Sequence, residues 1–266
     1  MSDCIKVSIS DGIADVRLNR EDKMNAINND MFDTMIEVAA QLDADKSVRV
    51  AVVSGEGRAF CAGLDMSNFA AMLDPNAGET LEPLSKRTHG ITNRVQQASF
   101  AWRNMRVPVI AAVHGVALGG GFQIMLGSDI RYVHPETRLS ILEVKWGLVP
   151  DLGGTAIMHS LASDDIVREL TYTGRMFSGV EAKEYGFATH LSQDPVADAL
   201  TLAAEIASKS PSAVQASKEL YNTVAHDNAA EVLQKESSLQ DGIIGKPNQL
   251  EAVMAGLEKR VANFSD

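Results

Sequence analysis

Two segments of the chain, Val48–Val53 and Val107–Val113, are apolar almost without a break. Successive side chains of a strand point to opposite faces, so such a strand needs cover on both sides. Helical spacing lies between these segments. Past caps available at Asn28–Asp30, Met31, Met35, Val38 and Leu42 recur every three or four residues. A helix is also expected from about Ser67, another over Leu84–Asn104, and a third from Gly119–Gly121 through Leu126. Near the N-terminus Ile5, Val7 and Ile9, then Val16 and Leu18, alternate with polar residues around Asp11-Gly12, as in a hairpin. Asp129–Val133 reads as a further strand, and Asp74–Pro83, with its prolines and glycine, as a mobile connection. Strand and helix signals alternate to about residue 192, which predicts α/β layers.

Beyond Pro195 the β-branched runs stop. Helices are expected over 195–208, 211–225, 228–240 and 247–262, with Pro211 and Pro247 in first turns that tolerate proline. The predicted division is a core of residues 1–194 followed by a helical segment, 195–266. The net charge of −11 argues against nucleic acid as a partner, since that needs a basic face. A few local cations can still hold an anionic small molecule. The two cysteines, Cys4 and Cys61, are too few for a disulfide framework and fit a reducing compartment. The first twelve residues alternate and carry acids, unlike a signal peptide, and no window reaches the roughly 18 apolar residues of a membrane span. A cytoplasmic protein with no membrane partner is expected.

Three segments carry candidate chemistry. In Arg58–Asp65, a small-residue turn between strand and helix either offers backbone N–H groups to an anion or is simply tight, with Asp65 able to cap the helix. Cys61 within it reads better as a packed residue than as a nucleophile. In Val113–Phe122, Gly119, Gly120 and Gly121 let a ligand or another backbone approach closely. This is neither a dinucleotide fingerprint, because Ile124 stands where a small residue is needed, nor a phosphate loop, because no Gly-Lys-Ser/Thr follows. His114 reads as a packed histidine. In Leu142–Thr155, Glu143 stands among apolar residues and Asp151 precedes a Gly-Gly turn. An apolar setting raises a carboxyl pKa toward the range of a general acid or base. The plainer readings are a surface glutamate and a turn or capping aspartate. Cys/His clusters with metal spacing, H-E-x-x-H and a G-x-S-x-G elbow are all missing from the sequence.

Together, in this order, the segments resemble the enoyl-CoA hydratase/isomerase (crotonase) family. The likeness begins at Arg20-Glu21-Asp22-Lys23-Met24-Asn25-Ala26, similar to the family's R-P-x-K-x-N-A, and runs to Glu258–Phe264, like its terminal helix. It implies a spiral of ββα units with a C-terminal helical trimerisation segment, assembled as a homotrimer or homohexamer. It implies an acyl-CoA thioester as substrate and no metal or redox cofactor. By motif position the oxyanion donors would be the N–H groups of Leu64 and Gly120. Preorganised donors of this kind stabilise the enolate that forms when a proton leaves the carbon beside a thioester carbonyl.

The family's hydratases carry two glutamates. The later one matches Glu143, whereas Gln123 stands at the place of the earlier one and cannot take a proton from water. Asp151 falls where the family's dienoyl-CoA isomerases have a catalytic aspartate. The expected activity is therefore double-bond isomerisation by Glu143 and Asp151, with hydration as the alternative. A hydrolase or lyase using Asp151, or a non-catalytic acyl-CoA binder, remains open. Ala62, Gly63, Asp65 and Ala26, with Lys23 and Lys259, are expected around the CoA moiety, though each lysine also reads as a solvated surface residue. Met66, Phe69, Met72 and Trp102 are expected to give the acyl pocket its apolar room, unless they are core.

Overall fold

The computed structural model describes residues 3–72, 83–225 and 229–263. The connection expected at Asp74–Pro83, apart from Pro83, and the terminal Phe264 lie outside them.

A six-stranded sheet runs in the order β1 (Ile5–Ser10), β2 (Ile13–Leu18), β3 (Val50–Gly55), β4 (Val109–Val113), β6 (Ile130–Val133) and β9 (His190–Leu191). The β1–β2 hairpin is antiparallel and each later pair is parallel. A second sheet joins β5 (Val116–Leu118), β7 (Arg138–Ser140) and β8 (Phe177–Ser178). The unbroken apolar runs are explained by cover on both faces. Ala51, Val53, Val109, Ala111 and Val113 point into the main core, while Val50, Val52, Ile110 and Ala112 pack with Ala199, Ala203 and Ala207. These alanines lie on α8 (Pro195–Ala207), so the first helix past residue 194 covers the second face of the sheet. Burying one such valine contributes on the order of 1.5–3 kcal/mol. The hairpin is different: β2 sends its apolar side inward, whereas of β1 only Ile5 is buried and Val7 and Ile9 are exposed.

Helix α1 (Asn29–Ala44) is capped by Asn28, whose side chain accepts from the Met31 N–H, and it buries Met31, Met35, Val38 and Leu42 as the spacing predicts. After α2 (Met66–Met72), the helix expected over 84–104 is shorter: α3 spans Arg94–Arg103. Asn93 and Gln96 close a reciprocal capping box at its start. Ahead of it, Gly90 (φ +63°) and the His89–Thr92 pairing turn the chain. Helix α4 (Gly120–Leu126) follows the glycines, and α5 (Gly154–Met158), α6 (Asp164–Thr173) and α7 (Gly179–Tyr185) complete the core.

The C-terminal helices α9 (Pro211–Ala225), α10 (Ala229–Ile243) and α11 (Pro247–Glu258) follow the predicted spans closely. The last ends at Glu258 because Lys259 turns left-handed. Lys218 of α9 reaches back to the sheet, donating to Val107 O and Asp129 Oδ2 at 2.9 and 2.8 Å. No helix among the described residues is long and apolar enough to cross a membrane.

Candidate active site

The first wall of the site is backbone. Residues 61–65 lie between the start of α1 and strand β5: Cys61 bridges to Ala117, Leu64 to Ile27, and Ile27 N–H donates to Gly63 O at 2.8 Å. Gly63 has φ +90°, and a Cβ on it would stand 2.6 Å from Leu118 O, so only glycine lets the two segments approach. Among the described residues, neither Leu64 N–H nor Gly120 N–H has a backbone partner. Gly120 opens α4, where first-turn N–H groups are free by construction.

Asn25 holds this wall from behind. Its Oδ1 accepts from Arg20 N–H at 2.8 Å, and its Nδ2 donates to Glu56 O and Ala59 O at 3.0 and 2.8 Å. Sequence reading quoted Asn25 only as part of a motif; its left-handed φ of +56° and full burial mark it as the clamp. Arg20 donates to Ala26 O and pairs with Asp65 at 2.9 Å. Asp65 caps α2 through Ser67, at 3.0 Å from N–H and 2.9 Å from Oγ. Burial alone would raise the Asp65 pKa, but the Ser67 bonds and the Arg20 guanidinium hold it below its ordinary value. Ala62 N–H donates to Met24 O.

Cys61 is buried with its thiol on Asn25 O, and burial pushes it up to about 12, which suits packing and not nucleophilic chemistry. His114 bonds Gly57 O at 2.9 Å, a structural contact.

The second wall is made of side chains. Glu143 opens a short 3₁₀ turn (Glu143–Trp146) after β7 and is buried. A Cβ on Gly119, at φ +50°, would come 3.3 Å from Glu143 Oε1, so this carboxyl lies against the residue before Gly120. Gln123, on α4, bridges the site. Its Nε2 donates to Glu143 Oε1 at 2.6 Å, and its Oε1 accepts from Leu152 N–H and Gly154 N–H at 3.0 and 2.8 Å. Glu143 Oε2 is buried without a partner. Burial raises the Glu143 pKa to about 7 against the opposing Gln123 bond.

Asp151 is raised to about 7 as well, by burial first and then by the charge of Glu143. It does not cap α5, whose N-cap is Gly153; its Oδ2 instead accepts from Gln240 Nε2 at 3.1 Å. Gln240 Oε1 accepts in turn from Val149 N–H at 3.0 Å. Sequence reading missed Gln240 and its neighbour Glu236. Both lie on α10 one turn apart, and nothing local distinguishes them from a solvated helix face.

The expected acyl-pocket residues do not gather. Trp102 is fully buried in the main core, and Phe69 packs at a tilt against Trp146, centroids 4.5 Å apart, in a small cluster with Leu148 and Val253. Their helical spacing had left a core position open as the alternative, and both residues pack in core clusters. Met66 is exposed, and the side chain of Met72 lies outside the described residues. Lys23 and Lys259 are exposed and make no ion pair among the described residues. No described cluster of His, Cys, Asp and Glu has the makings of a metal site.

The sequence profile of the enoyl-CoA hydratase/isomerase family matches residues 8–266. The mitochondrial Delta(3,5)-Delta(2,4)-dienoyl-CoA isomerase of Mus musculus is 30% identical over 249 residues, 92% of this chain and 76% of the relative. The peroxisomal enzyme of the same name from Arabidopsis thaliana is 30% identical, covering 93% and 91% of the two chains. The mitochondrial enoyl-CoA hydratase domain-containing protein 2 of Bos taurus is 32% identical, covering 98% and 87%. Among solved structures, an enoyl-CoA hydratase/isomerase from Mycobacterium paratuberculosis superposes with a TM-score of 0.85 at 26% identity, covering 96% of this chain and 98% of the other.

The architecture is therefore the crotonase fold, an α/β fold as expected. The chain belongs to the enoyl-CoA hydratase/isomerase family and is an enzyme of that family.

Proposed function

We propose that the chain moves double bonds in an enoyl- or dienoyl-CoA thioester, a 3,5-dienoyl to 2,4-dienoyl conversion being the favoured case. The observation that carries this reading is the binding of Gln123 to Glu143 Oε1, which leaves Oε2 buried and unpartnered on a carboxyl that lies against Gly119. A base needs one free oxygen in a water-poor place, and a hydratase needs a second carboxylate where Gln123 stands. Both faces of the Gln123 amide are taken up by Glu143 and the 152–154 backbone.

Glu143 Oε2 takes the proton from the carbon beside the thioester carbonyl. The C–H electron pair moves into the conjugated chain and onto the carbonyl oxygen, where Leu64 and Gly120 N–H stabilise it. One such donor contributes about 10²–10³ in rate in comparable sites. The carboxylic acid of Asp151 then returns a proton at the far end of the chain. Glu143 is left protonated and Asp151 ionised, and exchange with solvent resets both. Two carboxyls near neutrality suit such a shuttle, and their apparent values belong to the pair. The names of the two dienoyl-CoA isomerase relatives support the same substrate class.

The reaction as written uses no metal or redox cofactor. Ala26, Ala62, Gly63, Asp65, Lys23 and Lys259 are proposed around the CoA moiety, the lysines being free to meet its phosphates. A homotrimer or homohexamer is proposed, and light scattering of the purified protein checks it. The proposed compartment is the cytoplasm, on the two free buried cysteines, although the relatives' names place them in mitochondria and peroxisomes.

The test is turnover of 2-enoyl-, 3-enoyl- and 3,5-dienoyl-CoA in D₂O, with products read by mass spectrometry. Double-bond migration with deuterium incorporated, lost on Glu143→Gln while acyl-CoA affinity survives, is the expected result. Net addition of water would replace this reading with hydration, and full turnover by the Glu143→Gln variant would remove Glu143 from the chemistry.

A further inference from the structure

The candidate active site is built from segments that follow the C-terminal ends of the parallel strands β3 and β4, and a second cavity lies at the other end of the sheet. Pro108 and Asp129, which directly precede β4 and β6, line it together with the end of α8 and one side of α9. Its volume of about 560 Å³ is in the range of small-molecule sites. Four cations line it, Arg103, Arg131, Lys209 and Lys218, against one carboxylate, Asp129. In a chain of net charge −11 this local balance is of the opposite sign.

Structural bonding accounts for part of that charge. Lys218 pairs with Asp129 Oδ2 at 2.8 Å, the same oxygen that accepts from Val109 N–H at 2.8 Å, and Lys209 pairs with Glu205 at 3.7 Å. Arg131 is 5% exposed; its Nε donates to Phe187 O at 2.6 Å and its Nη1 to Ser128 O at 2.7 Å. Its Nη2 has no hydrogen-bond partner among the described residues, and the cavity is the space this side chain lines. Arg103, at the end of α3, accepts from Asn222 Nδ2 through its main-chain oxygen, but its guanidinium makes no hydrogen bond or ion pair among the described residues. A buried cationic donor without an acceptor is unfavourable, so two guanidiniums here have capacity for an anion that the chain does not itself supply.

The rest of the lining says what kind of anion. Ile130, Leu161, Ile206 and Val214 present partly exposed apolar side chains to the same cavity. An inorganic anion would gain nothing from them, whereas an aliphatic tail would be drawn out of water. We propose that this cavity is a second ligand site, in which Arg103 and Arg131 hold the carboxylate of an aliphatic acid and the apolar side chains hold its tail. The site stands apart from the active site and does not depend on which reaction that site performs. The cations also feel one another. Burial lowers the pKa of Arg103, Arg131 and Lys218, and Asp129 opposes the fall. The charge of Arg103 lowers Arg131 and Lys218 further. A bound carboxylate would relieve that repulsion.

The probe is octanoate, titrated calorimetrically into the full chain beside inorganic phosphate, which has the charge without the tail, and 1-octanol, which has the tail without the charge. Each titration is repeated in the presence of octanoyl-CoA to occupy the active site. Octanoate should bind at a single site per chain, unaffected by octanoyl-CoA, and at least about tenfold more tightly than either partial probe. Arg103→Gln removes a free guanidinium and should weaken octanoate by about tenfold, with Arg103→Lys recovering part of the loss. Val214→Trp fills the cavity while leaving every cation in place, and should weaken it as well. Circular dichroism checks that each variant is folded. The proposal is overturned if octanoate gives no binding below its micelle-forming range or is displaced by octanoyl-CoA. Phosphate binding as tightly as octanoate overturns it too, as does full octanoate affinity in both Arg103→Gln and Val214→Trp.

Discussion

The two walls of the site are built by different means. The wall that runs through Gly63, Leu64 and Gly120 is main chain held by main chain, with the buried Asn25 clamping it from behind. The wall that carries Glu143 and Asp151 is side chain held by side chain, through Gln123 and Gln240, with Glu236 accepting from the Gly153 N–H behind it. In the first, the group proposed to touch substrate is present in every residue type except proline, and what matters is where the backbone runs. In the second, the chemistry depends on which atom each amide or carboxyl offers, so a one-atom change alters function without altering shape. The backbone wall should therefore respond to changes in space, and the carboxyl wall to changes in charge.

The sharpest break of the first wall is Gly63→Val. Its Cβ would stand 2.6 Å from Leu118 O at a φ of +90°, so the loop must move and Leu64 N–H with it. Loss of one donor predicts a fall in kcat of about 10²–10³, measured on a dienoyl-CoA. On the second wall, Gln123→Glu keeps the shape but replaces the donor that faces Glu143 at 2.6 Å. One of the two carboxyls must then hold a proton. Isomerisation should fall and hydration of a 2-enoyl-CoA should rise relative to it by about tenfold or more, read as the product ratio. An unchanged ratio would show that position 123 does not separate the two activities.

Asn25→Ala tests the clamp by stability. It removes three hydrogen bonds of a buried residue and leaves their partners unpaired, a loss of roughly 2–4 kcal/mol in urea unfolding.

A subtler effect belongs to the carboxyl wall alone. Glu143 and Asp151 titrate at about 7 and Glu236 at about 8 in the folded chain, above the ordinary carboxyl range. Between about pH 5.5 and pH 8 these three groups bind more protons in the folded state than in the unfolded one, so the stability they contribute falls as pH rises. Above about pH 5.5 Asp65 and Glu251, both held low when folded, are ionised folded and unfolded alike and no longer oppose the trend, as they do at lower pH. The melting temperature should be higher near about pH 5.5 than near about pH 8.5, and Glu236→Gln should flatten the slope. The smallest effect is expected for Leu64→Ala, which keeps its N–H: kcat should stay within about threefold of the parent.

Much of this was legible in the sequence. The apolar runs at Val48–Val53 and Val107–Val113 announced buried strands, and Pro195, Pro211 and Pro247 marked helix starts within a residue. Helical period misled where other forces intervened. Gly90 and the Asn93 capping box cut the helix expected from Leu84, whereas Trp102, whose helical spacing also fits a core position, is in the core.

Sequence alone determined which groups are available: the glycines at 63 and 119–121, the two acids at 143 and 151, and an amide at 123 where a hydratase has an acid. The family assignment rests on these, because local chemistry and backbone freedom are properties of short segments. Only the tertiary structure decided which oxygen of Glu143 is free, that Gln123 spans both acids' segments, and that Glu236 and Gln240 stand behind Asp151. Those contacts join residues 20 to 140 positions apart, and no local pattern encodes them. Their effects are electrostatic, and depend on a burial that exists only once helix α10 has closed over the turn.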